Sequence, residues 1–206
     1  LRHLQDHGDH LRAVGITAWG TSNMRTGGDD IAQAMALIGA KPVWENNSKR
    51  VTGYEITPLA VLGRPRVDVT LRISGFFRDA FPAQIELLDK AIKAVAALEE
   101  EAEDNPLTAS LSTARIFGSK PGAYGAGLQA LIDEGLWSSK ADLANAYVTW
   151  GAYVYGTHVQ GRQDEASFNE RLAKIEAVIH NQDNREHDLL DSDYYYQFEG
   201  GMSAAV

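Results

Sequence analysis

Apolar and polar residues alternate most cleanly between Val67 and Ile73. Val67, Val69, Leu71 and Ile73 fall on one side, and Asp68, Thr70 and Arg72 on the other. This period of two predicts a strand with one face in a core. Ile16-Thr-Ala-Trp19 predicts a second, short buried strand. Each strand runs into a polar segment that reads as a loop: Gly20-Thr-Ser-Asn-Met-Arg-Thr-Gly-Gly28 after the first, Ser74-Gly-Phe-Phe-Arg-Asp79 after the second. Helical spacing then takes over. One helix is predicted with Asp29 as N-cap, Ile31, Met35 and Ile38 on one face, and Gly39 as its stop. A longer one is predicted from Ala83 to Glu100, with Ile85, Leu88, Ile92 and Val95 on its apolar stripe. Residues 41–45 and 51–56 predict two more strands around the turn Asn46-Asn-Ser-Lys49. Strand, loop and helix, twice over, argue for an α/β unit with a mainly parallel sheet.

The pattern changes near Pro106, which follows the acidic run Glu99 to Asn105. This predicts an α/β region over 1–104 and a mainly α-helical region over 105–206. In the second region helices are expected over Tyr124–Glu134, over Asp142–Tyr155 with Leu143, Tyr147, Trp150 and Val154 as its stripe, and from Ser167. The last would have Glu170 completing a capping box and Phe168, Leu172, Ile175 and Ile179 as its apolar face.

Composition narrows the function classes. With 44% hydrophobic and 23% charged residues over 206 positions, the chain can bury a sizeable core. A net charge of −9, with no Lys/Arg-rich run, argues against a nucleic-acid partner. The absence of cysteine excludes disulfides, thiolate metal sites and a cysteine nucleophile. No apolar run approaches a membrane span, and the polar N-terminus lacks a signal-peptide core, so a cytoplasmic protein is expected. The chain begins at Leu1 rather than Met and stops at Val206, and is expected to be an internal piece of a longer polypeptide.

Candidate chemistry concentrates between Asn181 and Gly201. Asp183, Glu186, His187, Asp188, Asp191, Asp193 and Glu199 surround a run of three tyrosines there. Oxygen donors with one imidazole suit a divalent cation of borderline character, and the aromatics suit a flat, largely apolar ligand. His187 and Asp191 are four apart, the better helical pairing; Asp191 and Asp193 share a face only in an extended run. Spacing by itself equally fits a solvated acidic turn. Upstream, Asn23 and Arg25 sit beside Gly27 and Gly28, which open onto a helix N-terminus suited to an anionic group. Arg78 belongs to the second polar segment. Lys120 and Tyr124 lie in a third, Arg115 to Gly127, whose glycines admit close backbone approach. A Gly-rich or salt-bridged turn explains each of these equally well. No nucleotide-binding loop and no nucleophile elbow is present.

Four motifs, in this order, carry a family resemblance: Gly20-Thr-Ser-Asn-Met-Arg-Thr-Gly-Gly-Asp-Asp30, Leu62 to Asp79, Ile116 to Gly127, and Asn184-Arg-Glu-His-Asp-Leu-Leu-Asp-Ser-Asp193. Together they resemble the large subunits of aerobic cobaltochelatase (CobN) and, more distantly, of magnesium chelatase. The resemblance implies ATP-dependent insertion of Co(II), as substrate metal, into hydrogenobyrinic acid a,c-diamide during cobalamin biosynthesis. It implies that the large subunit holds tetrapyrrole and metal. An AAA+ ATPase subunit and its companion would use ATP and Mg, and this piece would not turn over alone. On this reading Glu186, His187 and Asp191 serve in catalysis, and His187, Asp188, Asp191 and Asp193 hold the metal. Asn23, Arg25, Arg78, Lys120 and Tyr124 contact the tetrapyrrole, and Arg72 is a further candidate for pairing with its carboxylates. The family pattern carries a further acidic residue where this chain has Tyr194. A magnesium chelatase large subunit acting on protoporphyrin, or a non-catalytic tetrapyrrole-binding module, would share these motifs.

Overall fold

The computed structural model describes residues 2–109, 112–181, 183 and 195–206. A short helix, α1 (Arg2–His7), precedes β1 (Ala13–Ala18), α2 (Gly20–Thr26), α3 (Asp29–Ile38) and the antiparallel hairpin β2 (Ala40–Trp44) with β3 (Val51–Ile56). Next come α4 (Leu59–Leu62), β4 (Asp68–Ile73), α5 (Gly75–Ala80), α6 (Pro82–Ala96) and a 3₁₀ turn at Pro106–Ala109. The second half contains β5 (Ile116–Gly118), α7 (Gln129–Asp133), α8 (Lys140–Gly151), β6 (Tyr153–Gly156), β7 (Val159–Gln163), α9 (Glu165–Leu172) and β8 (Ala177–Ile179). It closes with a π-helical turn at Tyr196–Gly200 and α10 (Gly201–Ala205).

The main sheet has the order β7-β6-β5-β4-β1-β8. β8, β1, β4 and β5 run parallel, while β6 and β7 form an antiparallel edge. The α/β class and the mainly parallel sheet follow the sequence pattern, and the second half carries the helices α7, α8 and α9, but it is not separate from the sheet. It supplies β5, β6, β7 and β8, and strands from both sides of Pro106 pair with one another. The helices expected from the sequence are too long for a physical reason. Val154 and Ile179 continue an apolar spacing, yet each lies in a short strand, β6 and β8, where three or four residues cannot display a period. The helix expected from Ser167 instead begins earlier, because the Asp164 side chain accepts from the Ser167 N–H and caps it. Likewise α3 is preceded by Gly28 at φ 108, so Asp29 is its first helical residue rather than its cap.

Both polar segments expected as loops are helices. α2 ends where Gly27, at φ 76, returns its N–H to the Asn23 carbonyl. α5 begins at Ser74, whose Oγ accepts from the Phe77 N–H. The same oxygen accepts from the Gly20 N–H at 3.3 Å, so one hydroxyl serves the starts of both helices.

The alternating residues of β4 divide two cores. Val69, Leu71 and Ile73, with Val14, Ile16 and Ala18 of β1, pack under α3 and α6. The opposite face, with Asp68, Thr70 and Arg72, is also buried. Asp68 accepts from Arg115 Nε at 2.8 Å and from Arg171 Nη1 at 2.5 Å, and Thr70 Oγ1 accepts from Arg171 Nε. A polar face that the sequence alone leaves to solvent is thus closed over, with Asp68 paired as burial demands. The second core, containing Phe117, Leu128, Tyr147, Phe168, Phe198 and Met202, covers it. Met202 of α10 reaches the strand because Gly15 has no side chain: a Cβ there would lie 2.3 Å from the Met202 sulfur. The C-terminal turn is thereby docked on β1.

Candidate active site

Ligands of open parallel sheets sit beyond the C-terminal ends of the strands. Here Trp19 follows β1, Ser74 follows β4, Ser119 follows β5 and His180 follows β8. Two groups of side chains gather at this edge.

The first involves residues that the sequence already singles out. Arg78 of α5 is buried, and all three of its guanidinium nitrogens are engaged. Nε and Nη2 bond the Asp79 carboxylate, and Nη1 bonds the carbonyls of Ser119, Lys120 and Ala123. The guanidinium also lies 5.4 Å from the centre of the Tyr124 ring, whose hydroxyl donates to Asp79 at 2.7 Å. Through these bonds Asp79 is held below the usual carboxylate range. The structure therefore brings Arg78, Lys120 and Tyr124 together. Arg78 acts there as the bolt between α5 and the segment after β5, while Lys120 and Tyr124 remain exposed. Gly75 makes the seat: a Cβ would stand 2.6 Å from the Tyr124 ring and 2.8 Å from the Ala123 carbonyl.

Asn23 and Arg25 lie one helix over, on α2. Asn23 is buried, and its Oδ1 has no hydrogen-bond partner. Arg25, half exposed, donates from Nε to Asp183 at 2.6 Å. Beside them Asp30 of α3 accepts from Ser22 Oγ at 3.5 Å and is buried. Burial is the main force that pushes its carboxyl up to about 6, with Asp183 and Asp29 adding to it, against bonds from Asn181 and Ser22.

The second group joins Glu199 and Arg72, which the sequence singles out, to His180 and Trp19, for which the sequence gives no such role. His180 Nδ1 stands 3.2 Å from Glu199 Oε1, and the same oxygen accepts from Trp19 Nε1 at 3.2 Å. The Tyr195 ring meets His180 edge-on at 4.4 Å, and Phe198 packs on Trp19 at 4.3 Å. Behind Phe198 lies Arg72, fully buried, its guanidinium 5.1 Å from that ring and 5.7 Å from Tyr147. Arg72 Nη1 donates to the Ile73 carbonyl at 2.6 Å, and burial presses against the charged form of the side chain. Arg72 is thus enclosed rather than open to a ligand carboxylate. Burial also pushes the Tyr147 hydroxyl well above the ordinary range of a phenol, against the pull of the Arg72 charge. Thr17 Oγ1, Arg72 Nε and Nη2, Tyr147 OH, His180 Nε2 and Glu199 Oε2 are all buried without a hydrogen-bond partner. Such groups are rare in folded proteins, and their clustering marks this layer. Of these, Glu199 belongs to the acidic run visible in the sequence. His180, one residue before that run, carries no signal in the sequence, and Tyr147 reads there only as part of an apolar stripe.

Glu186, His187, Asp188, Asp191 and Asp193 lie outside the described residues. Among those described, no group of three or more His, Cys, Asp or Glu side chains is placed to hold a metal ion. Nor is any described helix long and apolar enough to cross a membrane.

The whole chain, residues 1–206, matches the family model CobN/Magnesium Chelatase. It is 65% identical over its full length to the aerobic cobaltochelatase subunit CobN of a Sinorhizobium species, and 56% identical to that of Pseudomonas aeruginosa. Identity to a magnesium-chelatase subunit of Rhodobacter capsulatus is 30%. In each case the chain spans 18% of the relative's length. Among solved structures, the catalytic subunit of cobaltochelatase from Mycobacterium tuberculosis superposes with a TM-score of 0.97 at 49% identity, over all of this chain and 18% of that one. With motifs, fold and full-length similarity in agreement, the chain belongs to the CobN/magnesium chelatase family.

Proposed function

We propose that this chain forms part of the metal-insertion site of a cobaltochelatase large subunit, which places Co(II) into hydrogenobyrinic acid a,c-diamide on the way to cobalamin. The observation that carries this reading is the anchoring of both flanks of the 184–194 run on the segment after β1. Asp183 pairs with Arg25, and Glu199 accepts from Trp19. These two anchors lie at the strand ends where a ligand is expected, and the run of sequence between them contains the ligand-type residues Glu186, His187, Asp188, Asp191 and Asp193. Similarity favours cobalt over magnesium chemistry, at 65% against 30% identity.

In this reading the macrocycle is held from the α2 and α5 side. Arg25 and Lys120 offer cations to its peripheral carboxylates, Asn23 offers a polar side chain, and the exposed Tyr124 ring offers a face. Arg78 serves by fixing Tyr124 and the 119–124 segment. His187, Asp188, Asp191 and Asp193 receive the incoming cation as transient O/N ligands, and Glu186, His187 and Asp191 assist proton removal. ATP and Mg act on a partner AAA+ ATPase subunit and its companion.

The test uses the full-length large subunit with its partner subunits. His187→Ala with Asp191→Ala is expected to lower cobalt insertion by at least about 100-fold while macrocycle binding persists. Parental turnover in that double variant removes the assignment. Tighter binding of protoporphyrin than of hydrogenobyrinic acid a,c-diamide would transfer the chain to the magnesium branch. Binding without insertion by the unaltered assembly would leave a tetrapyrrole-binding module.

A further inference from the structure

Metal insertion breaks an inner N–H bond of the macrocycle, and the released proton needs an acceptor. We propose that His180, held by Glu199, is a general base that takes up this proton, a role additional to that of the residues in the 184–194 run. This inference rests on the proposed function.

Four observations converge on the pair. His180 is the first residue beyond β8, at the sheet edge where ligands of parallel sheets bind. Its Nδ1 lies 3.2 Å from the Glu199 carboxylate, within ion-pair reach, so a proton placed on Nδ1 would face that carboxylate and Nε2 would be the nitrogen left to accept. Nε2 and Glu199 Oε2 are buried without partners, so neither atom is consumed by the fold. Glu199 sits in a π-helical turn, a local distortion common at functional sites, and Trp19 Nε1 holds the carboxylate oxygen that faces His180.

The step balances without an oxidant or reductant. A ring N–H bond breaks, its electron pair stays on nitrogen and forms the bond to the metal, and the proton goes to His180 Nε2. The imidazolium formed is stabilised by Glu199 and returns its proton to solvent. Charged and titratable groups surround the pair. Tyr195 lies at the ring edge, and Asp183 with Arg25 lies further along the same segment. Asp30 lies beside Asn181, and Arg72 with Tyr147 lies behind Phe198. The His180 side chain keeps 18% of its surface open. Nε2 itself is covered in this arrangement, so the groups over it must move before a ring N–H can reach it.

The experiment compares His180→Gln and Glu199→Gln in the full-length subunit with its partners. Expected is a loss of cobalt insertion of about 100-fold or more for His180→Gln, macrocycle affinity within about twofold, and disappearance of the acid limb of the kcat–pH profile. Glu199→Gln should lower insertion in the same direction and shift that limb. Added imidazole should partly restore His180→Ala. Unchanged turnover and pH profile in His180→Gln overturn the proposal. So does equal loss of macrocycle binding and turnover, which marks the pair as structural. A second readout needs no turnover: the ¹⁵N signals of His180 in the labelled subunit should report a proton on Nδ1 and a lone pair on Nε2. The opposite tautomer overturns the role even where the unaltered assembly proves inert with cobalt, an outcome that would separately remove the proposed function.

Discussion

Asp30 carries the cost of burial at this site in a single side chain. Its carboxyl is enclosed at the start of α3 and titrates near 6 rather than near its ordinary value of 3.8. A carboxyl raised in the folded state binds more protons than the unfolded chain between these two values, so stability falls as pH rises through that window. Asp30→Asn removes the cost. The variant should be more stable than the parent above pH 6, by on the order of 2–3 kcal/mol, with the advantage fading as pH falls toward 4. Denaturant melts across this range measure it, and an advantage independent of pH would refute the account. A destabilised carboxylate kept beside Asn23, Arg25 and Asp183 is what a functional edge looks like. In the sequence, Asn23 and Arg25 stand out there for their polar chemistry. Asp30 does not, because burial of a helix-start aspartate leaves no mark in a single chain.

At the scale of elements, α2 and α5 are the site's supports. Neither is legible from propensity: Gly-Thr-Ser-Asn and Ser-Gly-Phe-Phe both read as loop. They form because Ser74 Oγ accepts from both Phe77 and Gly20, and because glycines let rings and backbone approach. Ser74→Ala should cost about 1–2 kcal/mol, since two helix starts lose one acceptor. Gly75→Ala should cost about 1–3 kcal/mol and separate Tyr124 from Arg78, because the new methyl meets the Ala123 carbonyl, which cannot rotate away. Thermal unfolding gives the first quantity. Tyr124→Phe in both backgrounds tests the second, and identical increments would show that the ring had not moved. The α3 and α6 helices are visible in the sequence because each displays several turns of apolar period. β5 and β8, at three residues each, are hidden for the same reason in reverse.

Over the whole molecule, the sheet joins both halves and its second face carries the site. β8 at the edge and α10 across β1 bring residues near 180 and 199 beside residue 19, contacts that span most of the chain. Met202→Ala should destabilise by about 2–5 kcal/mol, as for a large-to-small change in a core. It should also loosen the π-helical turn, so that the emission of Trp19 shifts toward that of an exposed indole. Retained stability would mean the turn docks by other contacts.

Local pattern within the chain was enough for the α/β class, the long amphipathic helices, the hairpin and the strand ends that carry the polar motifs. It also carried the family, through four ordered motifs. Periodicity, glycine placement and motif order are all properties that one chain contains. Long-range packing alone settled that the polar face of β4 is buried, that Arg78 is a bolt rather than an open cation, and that His180 meets Glu199 and Trp19. Each of these depends on which distant side chain arrives to satisfy a charge or a hydrogen bond, and that pairing is set by sheet order rather than by spacing along the chain.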